Sequence, residues 1–326
     1  MFTSGGSESS NLAIRGLAER MQNKGKHIIT SIVEHASVYE CCKRLENEGY
    51  EVTYLPVDHT GAVRLEDLQS ALTEDTFLVS IMYVNNETGR IQPVERIGKL
   101  LKDHPRITFH VDAVQAFTKL PLEPAEWGID MLSVSAHKLN GPKGAGFLYR
   151  REGVRLEPLI LGGGQEHGLR SGTENVPGIV GMAKSIRMAM ENRERTAART
   201  SEIREMLEQT IQSLPELALT GPAHSPLMAP HIVHFRFPGM KSEVVVHALE
   251  KHGMFISTRS ACSSEEEQPS RVLVAMGLDR AHSISGLRIS YSGAHTLEEA
   301  EQLCGALRAV VRELAPIAAQ SGRRAK

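Results

Sequence analysis

Apolar and polar positions alternate with a changing period along the first half of the chain. Near-continuous apolar runs of strand length occur at "TFLVSIMYV" (Thr76–Val84), "ITFHVDAV" (Ile107–Val114) and "DMLSVSA" (Asp130–Ala136). "HIITS" (His27–Ser31), "EVTYLPV" (Glu51–Val57) and Gly146–Tyr149 are runs of the same kind. Between them lie Glu8–Lys24, Ala36–Glu48, Leu65–Leu72 and Val94–Lys102, with apolar residues at helical spacing; Gly25 and Gly49 stop the first two. Buried strands separated by amphipathic helices predict an α/β fold with a mostly parallel sheet covered by helices. Ligands of such sheets sit beyond the carboxyl ends of the strands, so the polar residues that follow each strand carry the chemical information.

After Gly178 the texture changes. Val180–Leu214 reads as a long helical stretch, charged throughout and without a strand. Strands at His231–Phe237 and Leu287–Ser292 then mix with helices at Glu243–His252 and Leu297–Leu314. The expected organisation is a large cofactor-binding domain over 1–190 and a smaller C-terminal α+β domain over 191–326.

Charge narrows the function. Lys plus Arg is 37 and Asp plus Glu is 39, a net charge of −2. Such a balance supplies no basic face for a nucleic acid, and no direct nucleic-acid partner is expected. No apolar run of about 18 residues exists, so no membrane span is expected. "MFTSGGSESS" lacks the features of a signal peptide. Four cysteines, at 41, 42, 262 and 304, are too few for a disulfide framework and point to the reducing cytoplasm.

The strand ends form a series. "FTSGGSES" (Phe2–Ser9) opens the first helix with small residues, Gly6 and Ser7 among them, as an anion site requires. His35 follows one strand, Asn85 and Asn86 another, and Asp112 and Gln115 a third. An Asp inside an apolar strand needs a partner. His110 and Asp112 as metal ligands lack a third ligand at suitable spacing, so no metal is expected. "SVSAHKLNGPKGAG" (Ser133–Gly146) places Ser135, His137 and Lys138 together after a buried strand. Desolvation there would lower the lysine's pKa and free its amine for Schiff-base chemistry. A helix start, a buried Asp and a lysine at successive strand ends match the needs of pyridoxal 5'-phosphate: a phosphate site, a partner for the ring nitrogen and an amine for the aldehyde. "LGGGQEHGLRSGTENVPG" (Leu161–Gly178) is a long loop with anion-friendly Arg170, Ser171 and Thr173. Cys262 sits among small polar and acidic residues in "ISTRSACSSEEEQPSR" (Ile256–Arg271), where a thiol is accessible. Arg288, inside a strand, has the fork that grips a carboxylate or serves an ordinary ion pair.

Taken together, "TSGGSES", "EH", "VNNETG", "HVDAVQ", "SAHK…GPKG", "GGGQE…GLRSGT" and "SACSS" resemble the NifS/IscS-type cysteine desulfurases, over Phe2 to about Leu314. These are fold-type-I pyridoxal phosphate enzymes of the class V aminotransferase family. The resemblance implies that Lys138 holds the cofactor covalently and Asp112 pairs with its ring nitrogen. It implies that His35 stacks on the ring and assists proton transfer, Gln115 bonds the phenolic oxygen, and Asn86 lies near cofactor and substrate. Gly6, Ser7, Ser135 and His137 would bind the phosphate, with Thr173 reaching the phosphate of a neighbouring subunit in a homodimer. Arg288 would hold the carboxylate of L-cysteine. Cys262 would take the sulfur as a persulfide for an acceptor in iron–sulfur assembly, tRNA thiolation or cofactor synthesis, and could serve as a transient Fe–S ligand. Two departures stand out. Family members usually begin with a further N-terminal segment containing an "LDNAATT"-like strand, and Arg259 stands where glycine is commoner. The competing expectations are a lyase acting on selenocysteine or cysteine sulfinate, and a catalytically weak sulfur-relay protein if that segment is truly absent.

Overall fold

The structure is a computed structural model that describes residues 1–258 and 268–324, with side chains to 318. Its residues divide into two compact units. The first comprises Met1–Val57, Ala62–Asn85 and Gln92–Arg193; the second comprises Asp58–Gly61, Asn86–Ile91 and Glu194–Lys326.

The first unit is built on a seven-stranded sheet: β1 (Phe2–Thr3), β2 (His27–Ser31), β3 (Glu51–Leu55), β4 (Thr76–Met82), β5 (Thr108–Asp112), β6 (Met131–Ser135) and β7 (Gly146–Arg150). Their spatial order is β1-β7-β6-β5-β4-β2-β3. Strands β2 to β6 run parallel, and β7 is antiparallel to both β6 and β1. Every residue of β2, β4 and β6 is buried, which is why these segments read as apolar runs broken only by small or hydrogen-bonded polar residues. The helices α1 (Gly6–Met21), α2 (Ala36–Asn47), α3 (Leu65–Ala71) and α4 (Val94–Leu101) fill the crossovers. Leu12, Ile14 and Leu17 of α1 pack with Val38, Cys42 and Leu45 of α2 and with Ile28, Leu78 and Met131 of the sheet.

The expected long helix is two: α5 (Val176–Glu191), which ends the first unit, and α6 (Arg193–Gln212), with Asn192 between them. The Asn192 side chain turns back to the Met188 carbonyl at 2.8 Å, a local bond that competes with helix continuation. The second unit adds a three-stranded antiparallel sheet of β8 (Ala218–Leu219), β9 (Ile232–Arg236) and β10 (Gly286–Ser290), in the order β10-β9-β8. Helices α7 (Ser242–Glu250), α8 (Arg271–Ala275), α9 (Arg280–Ile284) and α10 (Leu297–Arg324) complete it. Its core joins Ile203 and Leu207 of α6, Val233 and Phe235 of β9, Leu249 of α7 and Leu307 and Val311 of α10. In β10 the strand alternation buries Leu287 and Ile289 and turns Arg288 to the opposite face. Among the described residues no helix is long and apolar enough to cross a membrane.

Candidate active site

Parallel register places the polar strand ends of the first unit in neighbouring rows. Asp112 is paired with Met82 of β4 and Ser133 of β6, and Ser135 with Gly146 of β7. Just past β2, the buried Glu34 carboxylate accepts from the Ser31 hydroxyl at 2.6 Å and the Met82 N–H at 2.9 Å, tying β2 to β4. His35 follows, exposed, as the N-cap of α2. Its Nδ1 accepts the Ser37 N–H at 3.1 Å, so the neutral ring carries its proton on Nε2. Asn85 is buried and donates to the Val33 carbonyl at 2.9 Å.

Asp112 is buried with one carboxyl oxygen accepting the Val114 N–H at 3.0 Å. Burial pushes its pKa up, against the pull of that N–H and of nearby His35. Two residues earlier on the same face, buried His110 lies between the Ser80 and Ser133 hydroxyls, at 2.8 Å from each. Ser133 meets Ser10 of α1 at 3.2 Å, which extends the polar string from β4 through β5 and β6 to the helix. Burial brings His110 down to about 3, so the ring is neutral and holds strands and helix in place. Among the described residues no three His, Cys, Asp or Glu side chains cluster to hold a metal.

Strand β6 ends in a single 3₁₀ turn, Ala136–Leu139, which carries His137 and half-buried Lys138 and is closed by Asn140 at φ 56°. Ser135 Oγ lies 2.7 Å from His137 Nδ1. This pair faces the start of α1. The N-cap there is Gly5, which offers no side-chain bond to the first turn. A Cβ on Gly5 would lie 3.3 Å from Ser135 Oγ, and one on Gly6 only 2.7 Å from the Val114 side chain. The glycines therefore leave a cradle lined by free first-turn N–H groups, where the helix dipole favours an anion. Ser7 is the second residue of the helix. Cations add to the field: burial lowers the pKa of His137, and Lys138, Lys143 and Lys119 lower it further. Lys119 comes down to about 8, through burial and then the nearness of Lys138. Nothing in the chain's spacing singled out Lys119. It enters by the turn after β5, where Thr118 adopts φ 66°. Gln115 is half-buried on that turn, and Thr173 is exposed.

The other expected site residues belong to the second unit. Arg288 donates from Nη1 to the Asn86 carbonyl at 2.8 Å, and burial lowers its pKa. Its Nε is buried and has no hydrogen-bond partner among the described residues, so the guanidinium keeps capacity for an acceptor. Cys262 and Arg259 lie outside the described residues.

A parallel sheet whose strand ends present a buried carboxylate, a lysine turn and an anion cradle describes an α/β enzyme of the aminotransferase type. The chain belongs to the class V aminotransferases, whose family model it matches over residues 1–303. It is 43% identical over 320 residues to cysteine desulfurase IscS of Clostridium botulinum, covering 97% of this chain and 80% of that one. It is 45% identical over 317 residues to a NifS/IcsS protein homolog of Lactobacillus delbrueckii subsp. bulgaricus, covering 97% and 82%. Among solved structures it resembles a NifS-like protein with TM-score 0.88 at 38% identity, over 97% and 82% of the two chains. It also resembles SspA in complex with cysteine, with TM-score 0.74 at 37% identity, over 89% and 80%.

Proposed function

We propose that the chain is a pyridoxal phosphate-dependent cysteine desulfurase that converts L-cysteine to L-alanine and keeps the sulfur on Cys262. The observation that carries this reading is the Ser135–Lys138 turn set against the uncapped start of α1, one strand from the buried Asp112. These residues fit the cofactor. Gly6, Ser7, Ser135 and His137 would hold its phosphate, Lys138 Nζ its aldehyde carbon, and Asp112 its ring nitrogen. When bound, the cofactor supplies an electron sink for charge developing at the substrate α-carbon.

The chain's own groups do the rest. Asp112 has one oxygen engaged by Val114 and lone pairs left for a ring N–H, which it would keep protonated. Gln115 would orient the phenolic oxygen. His35, fixed as the Nε2–H tautomer by Ser37, would cover the ring and move a proton at Nε2. Arg288, with Asn86 at its Nη1, would hold the substrate carboxylate. In net balance, the substrate thiol and the Cys262 thiol become alanine and a Cys262 persulfide: the Cβ–S bond is replaced by Cβ–H, and an S–S bond forms. The persulfide then passes to an acceptor protein. The same reading assigns a cytoplasmic homodimer in which Thr173 serves the neighbouring subunit's phosphate.

Purified protein incubated with pyridoxal phosphate and L-cysteine tests it. Alanine is expected, with sulfide when a thiol reductant is added. Borohydride reduction should leave a pyridoxyl adduct on the peptide containing Lys138. Absence of that adduct, or unchanged alanine formation in Cys262→Ala, refutes the assignment.

A further inference from the structure

The anion cradle at the start of α1 carries a carboxylate of its own. Glu8 is the third residue of the helix, the place from which an acidic side chain ordinarily reaches back over the helix start and gains from its dipole. An arriving phosphate seeks the same N–H groups and would meet that charge. In the structure both Glu8 oxygens are engaged elsewhere. Oε2 accepts the Ser4 N–H at 2.7 Å, one residue ahead of the Gly5 N-cap. Oε1 accepts from Arg170 Nε at 2.8 Å, and Arg170 Nη2 lies 3.4 Å from Oε2. This two-pronged contact joins α1 to the glycine-rich loop 162 positions further along the chain, within the first unit. The side chains are only 16% (Glu8) and 26% (Arg170) exposed, so water and salt screen the pair less than an ordinary surface ion pair.

We propose that Arg170 is a positioning residue for the cofactor phosphate, acting through Glu8: its guanidinium holds the carboxylate off the first turn of α1 and cancels its charge, which leaves the N–H groups of that turn to the phosphate. Without Arg170, a negative charge stays in the turn that would hold a group with about two negative charges of its own. With both charges removed, the cradle is open again. The inference deepens the phosphate-site assignment made above and rests on it.

Dependence on the phosphate separates this role from a mere brace for the loop. The full chain, stripped of cofactor, is titrated with pyridoxal phosphate and, in parallel, with pyridoxal, which has the ring and aldehyde but no phosphate. The visible band of the lysine adduct reads both. Arg170→Gln should bind pyridoxal phosphate about tenfold more weakly and pyridoxal within about twofold of the parent. Arg170→Lys keeps the charge and should stay within about threefold of the parent for both. Adding Glu8→Gln to Arg170→Gln removes the uncompensated carboxylate and should restore pyridoxal phosphate binding to within about twofold. Equal weakening of both ligands in Arg170→Gln, or no recovery in the double variant, would make the pair a structural brace and overturn the inference. Should Arg170→Gln fail to fold, Glu8→Gln alone decides. It removes the charge at its source and should bind pyridoxal phosphate at least as tightly as the parent, and binding weakened more than about threefold would overturn the inference. A parent chain that forms no lysine adduct with either ligand fails the proposed function, and this inference falls with it.

Discussion

The two units bury polar groups in opposite ways. In the first, the buried histidines of the sheet are bonded side chain to side chain. His110 lies between two hydroxyls, and His27 between Thr76 and Thr53, at 2.8 Å each. In the second, guanidinium groups end on backbone carbonyls: Arg90 on Leu227, Arg204 on Ala229 and Ile232, Arg236 on Leu219 and Arg288 on Asn86. Arg204 also makes an ion pair with Glu208, both side chains buried. A parallel sheet has its own backbone bonds saturated, so its side chains can be spent on one another and on the strand ends. In the second unit the carbonyls of Asn86, Leu227 and Ala229 lie in irregular connections and those of Leu219 and Ile232 at strand ends, and long cationic side chains reach them. The guanidinium proposed to hold a carboxylate, that of Arg288, is one of this set.

The largest test of this contrast is Glu208→Gln. It leaves Arg204 buried without its counter-charge and should cost about 3–5 kcal/mol. The urea midpoint of the full chain, read by a probe in the second unit, checks it. Replacing both partners by apolar residues should cost far less, since no charge is then left unpaired. An equal loss in the double variant would show that the pair's packing, not its charge, holds the unit.

Acid should act on both units through one mechanism. His110 in the first and His234 in the second are each brought down to about 3, chiefly by burial, from the ordinary value of 6.5. Below pH 6.5 the unfolded chain takes up protons that the folded chain refuses until about pH 3. Stability is therefore full above 6.5 and falls as pH drops through that window. His110→Asn should flatten the slope for the first unit, and His234→Asn for the second. Identical slopes in parent and variants would exclude these rings as its source.

The smallest expected effect is a gain. Thr118 is β-branched at φ 66°, a conformation that disfavours a Cβ, and Thr118→Gly should stabilise by about 0.5–1 kcal/mol. The corresponding change in the second unit, His224→Gly at φ 49°, should gain less, because histidine tolerates this region better. Thermal midpoints of the two variants decide the order.

Much of the scaffold was legible in the chain itself. The run at His27–Ser31 is β2 without change, and β3 to β7 lie within or one residue beyond their apolar runs, whereas β1 (Phe2–Thr3) had no expected run. Lys138, Asp112 and His35 could be picked out because a polar residue directly after a buried run is conspicuous. Lys119 and Glu8 could not. Each sits in a turn or helix start, where local composition hides which residue matters. Asn86 groups with the second unit, where the segment 86–91 meets residues near 228 and 288.

What the sequence determined alone is the order of elements and the residues that close them. Hydrophobic period and turn chemistry act over a few residues, and those are local properties of the chain. Tertiary structure decided which distant groups meet: Ser10 with Ser133, Glu8 with Arg170, Glu87 with Ser270. These contacts span from over one hundred to nearly two hundred residues. They depend on strand register and crossover path, which no local pattern encodes.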